Sequence, residues 1–297
     1  AHGMDAPSAT RSVVTLGGGH GQAALLTALV GLRAALVAVV SVADDGGCSG
    51  RLRDELGIPP PGDVRRCLSA LVHPGYAALL EARVDLGRAN RGRSVGNLVL
   101  AELALRTSGL TEASRTLGAL LGARGEVLPV ADAPGTLAVF DMREGSVAGE
   151  STIEQRSRQA VVAQVSGPAR ATEPARRAIL QADLFLFGPG SVVGSTLAVV
   201  TTADVAESVA ASRGRRVLVR NIAQNEHTGA PGAVAYDDHE RLLRDHLTIG
   251  SGGHSLGLDT LEHGVGATRE DRADGQRALR APMADASGKR HDVALLR

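Results

Sequence analysis

The run Val13-Val14-Thr15-Leu16-Gly17-Gly18-Gly19-His20-Gly21 constrains the fold of this chain more than any other segment. A short β-prone stretch ends abruptly in glycines, and Gln22 to Leu29 then carries apolar residues at helical spacing. Ala35 to Val42 is a second apolar, β-rich run. The opening segment therefore predicts strand, glycine turn, helix, strand, which is a βαβ unit with a parallel pair. Short Val-rich runs are how the strands of a sheet covered on both faces read. The core must be built from Val, Leu, Ile and Ala, because aromatic residues make up only 2% of the chain and Trp is absent.

The same alternation returns near the end of the second third. Asp183 to Phe187 reads as a buried strand closed by Gly188-Pro189-Gly190-Ser191, and Val217 to Asn221 as another strand. Residues 64–82, 95–122, 175–182, 203–212 and 237–246 read as helical. Gly125 to Val130, Thr136 to Met142 and Ser146 to Glu150 read as an antiparallel meander, with Val161 to Val165 adding a further strand. A last strand is expected near Val293. The fold class that results is α/β: a doubly wound, Rossmann-like parallel sheet with a β-rich insertion at about 123–166. Residues 13–297 are expected to form a single nucleotide-binding domain, with 250–290 mobile. Residues 1–12 are expected to be an expression tag and a disordered N-terminus, since Ala1-His2-Gly3 before Met4 does not resemble a signal peptide.

Glycines permit tight turns and close backbone approach, and the N–H groups that open a helix then face an anion. Gly17, Gly18, Gly19, His20 and Gly21 are thus the first candidate phosphate site; the alternative is a turn with no ligand. The segment is neither a Walker A loop, since no Gly-Lys-Ser/Thr follows, nor a good dinucleotide fingerprint, since position 22 is Gln. Asp44 and Asp45 follow the second strand in what reads as a loop, Ala43 to Gly50, containing Gly46, Gly47, Cys48 and Ser49. Paired carboxylates there suit hydrated Mg²⁺, which takes one or two carboxylates plus phosphate oxygens; helix capping is the plainer reading. Arg51, Arg53, Arg65 and Arg66 are available for phosphate, and Asp63 either completes a metal site with Asp45 or caps the helix beginning near Val64. Gly96-Asn97 opens a further helix, where Asn97 either hydrogen-bonds a base, ribose or phosphate or is a plain helix-start residue with no ligand. Gly188, Gly190 and Ser191 form a second strand-end turn, and Asn221 ends the next strand on the same edge of the sheet.

Zero formal net charge argues against a nucleic-acid partner. No apolar stretch reaches the length of a membrane span. Two cysteines, Cys48 and Cys67, fit a reducing cytoplasm better than a disulfide framework, and they are too few for a zinc site without histidines. No Ser-His-Asp order suggests a nucleophilic hydrolase.

The runs Gly17 to Gly21, Val42 to Arg53, Pro60 to Arg65, Gly96 to Leu98 and Gly188 to Ser191 together resemble the YvcK family of the YvcK/CofD superfamily, in the expected order. The resemblance implies a cytoplasmic gluconeogenesis factor that binds UDP-sugars, UDP-N-acetylglucosamine in particular, is linked to cell shape and carbon use, and associates with itself, as a dimer. The related CofD group implies an alternative: a metal-dependent transferase that takes a group from a nucleoside diphosphate-linked donor and releases the monophosphate. Asp45 and Asp63 fall where that group keeps its metal-binding aspartates. A third reading is an interaction factor with a vestigial pocket. The chain departs from the YvcK pattern at Arg93-Ser94-Val95, at Val193-Gly194 and at Asn225-Glu226-His227-Thr228. The phosphate end looks kept, while the part that meets the sugar or acceptor looks changed.

Overall fold

The computed structural model describes residues 10–85, 87, 91–141, 145–156, 160–220, 236–250, 252, 256–261, 278–284 and 290–296. The chain opens with β1 (Ser12–Gly17), α1 (Gly19–Leu29) and β2 (Ala35–Val40). Among the described residues α2 (Gly47–Leu56), α3 (Gly62–Leu71), α4 (Pro74–Glu81), α5 (Val95–Arg106) and α6 (Leu110–Leu120) follow, before β3 (Glu126–Pro129). Next come β4 (Thr136–Asp141), β5 (Gly145–Ala148), α7 (Glu150–Arg156) and β6 (Ala160–Ser166). Helix α8 (Glu173–Leu180) leads to β7 (Leu184–Phe187), and a π-helical stretch (Val192–Leu197) then runs into α9 (Ala198–Val200). After α10 (Val205–Ala211) and β8 (Arg215–Val219) come α11 (Tyr236–Gly250) and β9 (Asp259–Leu261). The last elements, β10 (Ala278–Ala284) and β11 (Arg290–Leu296), pair antiparallel.

Six strands form one parallel sheet in the order β3-β2-β1-β7-β8-β9. Alternation along each strand feeds two cores. Val14, Leu16, Val39, Phe185 and Phe187 face one layer, with Leu197, Val209 and Leu243. Ala38, Val40 and Leu186 face the other, with Leu25, Val64, Leu100 and Leu117. Phe185 and Phe187 stack with ring centroids 6.2 Å apart and supply two of the chain's three phenylalanines. Aliphatic side chains fill the rest, which is why so few aromatics suffice.

The parallel sheet and the β-rich insertion expected from sequence are both present, with several differences. Glu126–Pro129 is not part of the meander: it pairs parallel with β2 and extends the main sheet. The insertion sheet is β5-β4-β6, antiparallel. Periodicity alone could not decide this, because a short apolar run is compatible with either partner. The helical stretch 64–82 is two helices, broken where Val72 turns extended and His73 accepts a hydrogen bond from the Gly75 N–H ahead of Pro74. The stretch 95–122 also breaks, at Thr107 and Gly109. In α5, Leu100, Ala101 and Ala104 are buried while Val99 and Leu105 are exposed, so its apolar face serves the core only in part. Residues 47–50, expected in a loop, open α2, and Cys48 is buried rather than set in a polar loop. Asp63 lies in the first turn of α3, behind Pro61, and makes no capping bond. Asn221, Asn225 to Thr228, residues 1–9 and most of 250–290 lie outside the described residues. Among the described residues, no helix is long and apolar enough to cross a membrane.

Candidate functional site

The order in which successive strands are laid down across the parallel sheet reverses between β1 and β7. The connections that leave their carboxyl ends go to opposite faces, and a crevice opens between them. Gly17-Gly18 leaves β1, and α1 starts at Gly19, whose φ of 65° suits glycine. Gly188-Pro189-Gly190 leaves β7. The two turns touch: a Cβ on Gly21 would collide with the Pro189 carbonyl, and one on Gly18 with the Asp63 carboxylate. A cleft of about 340 Å³ lies between them.

Three helix starts meet at this cleft. Helices α1, α2 and α3 have Gly18, Gly46 and Pro61 at their N-caps, and none receives a side-chain cap. Gly18, Gly19, Gly46 and Asp63 of these helix starts line the cleft. The positive ends of three helix dipoles thus approach one space, where the Gly46 N–H is taken by the Asp44 carboxylate. Arg66 and His20 line it too. Arg66 is ion-paired with Asp63. Partial burial pushes the His20 imidazole below its ordinary value, and the Arg66 guanidinium adds to that effect.

Three carboxylate residues line the same space, Asp44, Asp63 and Glu150. Asp44 accepts from the Gly46 N–H at 2.9 Å, and its carboxyl is raised above the ordinary range first by burial and then by the charge of Asp63. Asp63 is 5% exposed. Asp45 turns elsewhere. Its carboxylate accepts from the Ser151 N–H at 2.9 Å and from the Ser151 hydroxyl at 2.5 Å. The adjoining pair facing the cleft is therefore Asp44 with Asp63 rather than Asp45 with Asp63. Among the described residues no group of three or more His, Cys, Asp or Glu converges as a metal cage. Asp44 and Asp63 beside the helix starts fit hydrated Mg²⁺, which takes one or two carboxylates and draws its remaining oxygens from water and phosphate.

The structure brings Gly18, Gly19, His20, Gly21, Asp44, Gly46, Asp63, Gly190 and Ser191 together in the cleft. Ser191 caps the π-helical stretch, accepting from the Gly194 N–H at 2.9 Å. Gly17 is the buried end of β1, Gly47 the exposed start of α2, and Gly188 a turn residue behind Gly190 with φ 79°. Ser49 sits behind the cleft: a Cβ on Gly62 would run into its hydroxyl, and Asn97 donates to that hydroxyl at 3.3 Å. Asn97 is 2% exposed and is not part of the cleft wall. Arg51 is exposed on α2, away from the lining. Arg65 is buried, bonded to the Ser94 hydroxyl at 2.8 Å and ion-paired with Glu81 at 3.2 Å, so it ties α3 to α4 and α5. Arg66, the next residue, is the arginine in the cleft. Glu150 and Ser151 also line it, a feature sequence reasoning missed by reading Ser146 to Glu150 as strand. The available signal was Gly149 followed by an acidic residue and Ser-Thr, a helix-start composition.

The sequence profile of the family described as 2-phospho-L-lactate transferase CofD matches residues 13–266. The chain is 36% identical over 247 residues to a gluconeogenesis factor of Halalkalibacterium halodurans, covering 81% of this chain and 75% of that one. It is 35% identical over 247 residues to the gluconeogenesis factor of Bacillus subtilis, covering 80% and 75%. A putative gluconeogenesis factor of Mycobacterium tuberculosis is 36% identical over 253 residues, covering 80% and 72%. Among solved structures, a member of the UPF0052 family from Bacillus halodurans superposes with a TM-score of 0.78 at 31% identity, covering 88% of this chain and 83% of that one.

Proposed function

The chain belongs to the CofD family, with relatives named gluconeogenesis factor, and from that membership and the cleft we propose that it binds a nucleoside diphosphate-linked sugar as a regulatory ligand. The observation that carries this reading is the convergence of three uncapped helix N-termini on one cleft at the switch point of the sheet. Gly18 to Gly21 and Gly190 surround the diphosphate, Arg66 adds charge beside it and His20 a neutral ring nitrogen. UDP-N-acetylglucosamine is the ligand of choice for the test. The reading places the protein in the cytoplasm, with Cys48 and Cys67 as reduced, buried thiols.

Calorimetry with UDP-N-acetylglucosamine and Mg²⁺ is the direct measurement. Saturable binding that disappears in Arg66→Ala supports the reading. Absence of heat at millimolar ligand sinks it.

The Asp44–Asp63 pair favours a second reading, a metal-dependent transferase using a nucleoside diphosphate-linked donor. Asp44 and Asp63 would hold the ion. A divalent cation supplies charge neutralisation for the diphosphate and for a leaving monophosphate. The helix N-termini of this chain would hold the phosphates in place. Release of nucleoside monophosphate in the presence of acceptor, lost in Asp63→Asn, separates a transferase from a binder.

A further inference from the structure

A buried polar chain runs from the start of α5 to the cleft. Asn97 donates from Nδ2 to the Ser49 hydroxyl of α2 at 3.3 Å. The Ser49 hydroxyl in turn hydrogen-bonds the Asp44 carboxylate, which lines the cleft. An ionised carboxylate only accepts, so the single Ser49 proton goes to Asp44, and Ser49 accepts from Asn97. Asp44 is thereby held at both oxygens. The Gly46 N–H donates to Oδ1 at 2.9 Å. Oδ2 stands with the Ser49 hydroxyl over Gly62, where a Cβ would run into the hydroxyl and crowd the carboxylate. Burial, and next the charge of Asp63, push the Asp44 carboxyl up; the Gly46 N–H, Arg66 and the Ser49 hydroxyl act the other way.

Asn97 does more than fill space. Its Oδ1 is buried with no hydrogen-bond partner among the described residues, a cost that a leucine of similar volume would avoid. Its place is tightly set. A Cβ on Gly96 would come within 2.8 Å of the Arg65 side chain and 2.9 Å of the Leu80 carbonyl, so the start of α5 is pressed against α3 and α4.

We propose that Asn97 and Ser49 are positioning residues: Asn97 fixes the Ser49 hydroxyl, and the Ser49 hydroxyl aligns the Asp44 carboxylate on the cleft for a divalent cation bound with the nucleotide. The proposal rests on the reading of Asp44 and Asp63 as the residues that hold that cation. Outer partners of this kind orient a ligating carboxylate, and their loss costs about 10–100-fold in metal affinity. Asn97 acts in this way without touching the ligand.

Calorimetry of UDP binding over a Mg²⁺ series, starting from chelated protein, separates cation affinity from nucleotide affinity. Ser49→Ala should raise the Mg²⁺ midpoint about tenfold, and Asn97→Leu by a smaller factor. Asn97→Leu should melt no lower than the wild type, whereas a merely structural residue would lower the melting temperature and leave the midpoint in place. Because Asn97 works through Ser49, the double variant should lie within about twofold of Ser49→Ala. If Asn97→Leu does not fold, Asn97→Ala replaces it. An unshifted midpoint in the Asn97 variant, or losses that add in the double variant, overturns the relay. An equal fall in UDP affinity with and without Mg²⁺ makes Asn97 a ligand contact and overturns it too. Wild-type UDP binding that ignores Mg²⁺ removes the cation reading and this proposal with it. A wild type that binds no UDP removes the nucleotide reading as well, and both outcomes are visible before any variant is made.

Discussion

Gly18 is the residue where fold and site are least separable. It has extended backbone, so its requirement is space rather than conformation: the Asp63 carboxylate occupies the direction a side chain would take. Gly18→Ala must displace a carboxylate that is buried and paired with Arg66. We expect a loss of about 1–3 kcal/mol in urea unfolding, together with loss of nucleotide binding. Gly31 has open space around its missing Cβ and no left-handed backbone. Gly31→Ala should change stability by less than about 1 kcal/mol, toward stabilisation. Asp44 gives the opposite trade. A carboxyl whose pKa is raised on folding binds its proton more tightly in the folded state. Its contribution appears as pH falls through the folded pKa toward the unfolded value near 3.8, and it is absent at neutral pH. Asp44→Asn keeps an acceptor for the Gly46 N–H while removing a charge that burial and Asp63 both oppose. Its melting temperature should exceed that of the wild type near neutral pH and lose the advantage on acidification toward about pH 4, while Mg²⁺-dependent nucleotide binding weakens. The sequence made Asp44, Asp45 and Asp63 visible as acidic residues near glycines. It did not separate their roles, because adjacent residues point in different directions and only the position of Ser151 shows where Asp45 goes.

At the scale of elements, the glycine turn depends on a residue that sequence reasoning noticed only as a break in a fingerprint. Gln22, on the buried side of α1, places its amide nitrogen 2.9 Å from the Thr15 hydroxyl, 3.1 Å from the Thr15 carbonyl and 3.2 Å from that of Val39. The Cys67 thiol of α3 lies 3.6 Å from its amide oxygen. One side chain thereby ties α1 to β1, β2 and α3 and fixes the angle at which α1 leaves the sheet. Gln22→Glu sets a carboxylate against acceptors in a dry core, so it should destabilise far more than Gln22→Met. Denaturant midpoints of the two variants settle the order; a Glu variant as stable as the Met variant contradicts this account. Strands β1, β2 and β7 were legible because both their faces are buried and they read as unbroken apolar runs. Strand β3 was assigned to the wrong sheet, and β9 was not seen at all, because three- and four-residue strands carry too few alternations to name a partner.

At the scale of the molecule, the cleft draws on the β1 and β7 turns, three helix starts and the insertion, segments spread from residue 18 to residue 195. A ligand bound there bridges them and stabilises the folded state as a whole. At about 100 times its Kd, a UDP-sugar should add about 2.7 kcal/mol. For a chain of this size that raises the melting temperature by several degrees. A thermal-shift series over nucleotides and nucleotide sugars reads this directly, and a flat series across all of them argues against a nucleotide site.

The sequence by itself determined the local grammar: which runs are strands, where glycines must turn the chain, and that helix N-termini follow those turns. Backbone sterics and side-chain periodicity act over a few residues, and a sequence states them openly. What only the tertiary structure decided was which acidic and basic groups share the cleft. It set Asp44 rather than Asp45 beside Asp63, turned Arg66 inward while spending Arg65 on Ser94 and Glu81, and brought Glu150 to the cleft. Those choices follow from the packing of helices separated by tens of residues along the chain, and from burial that leaves each charge room for only one partner set.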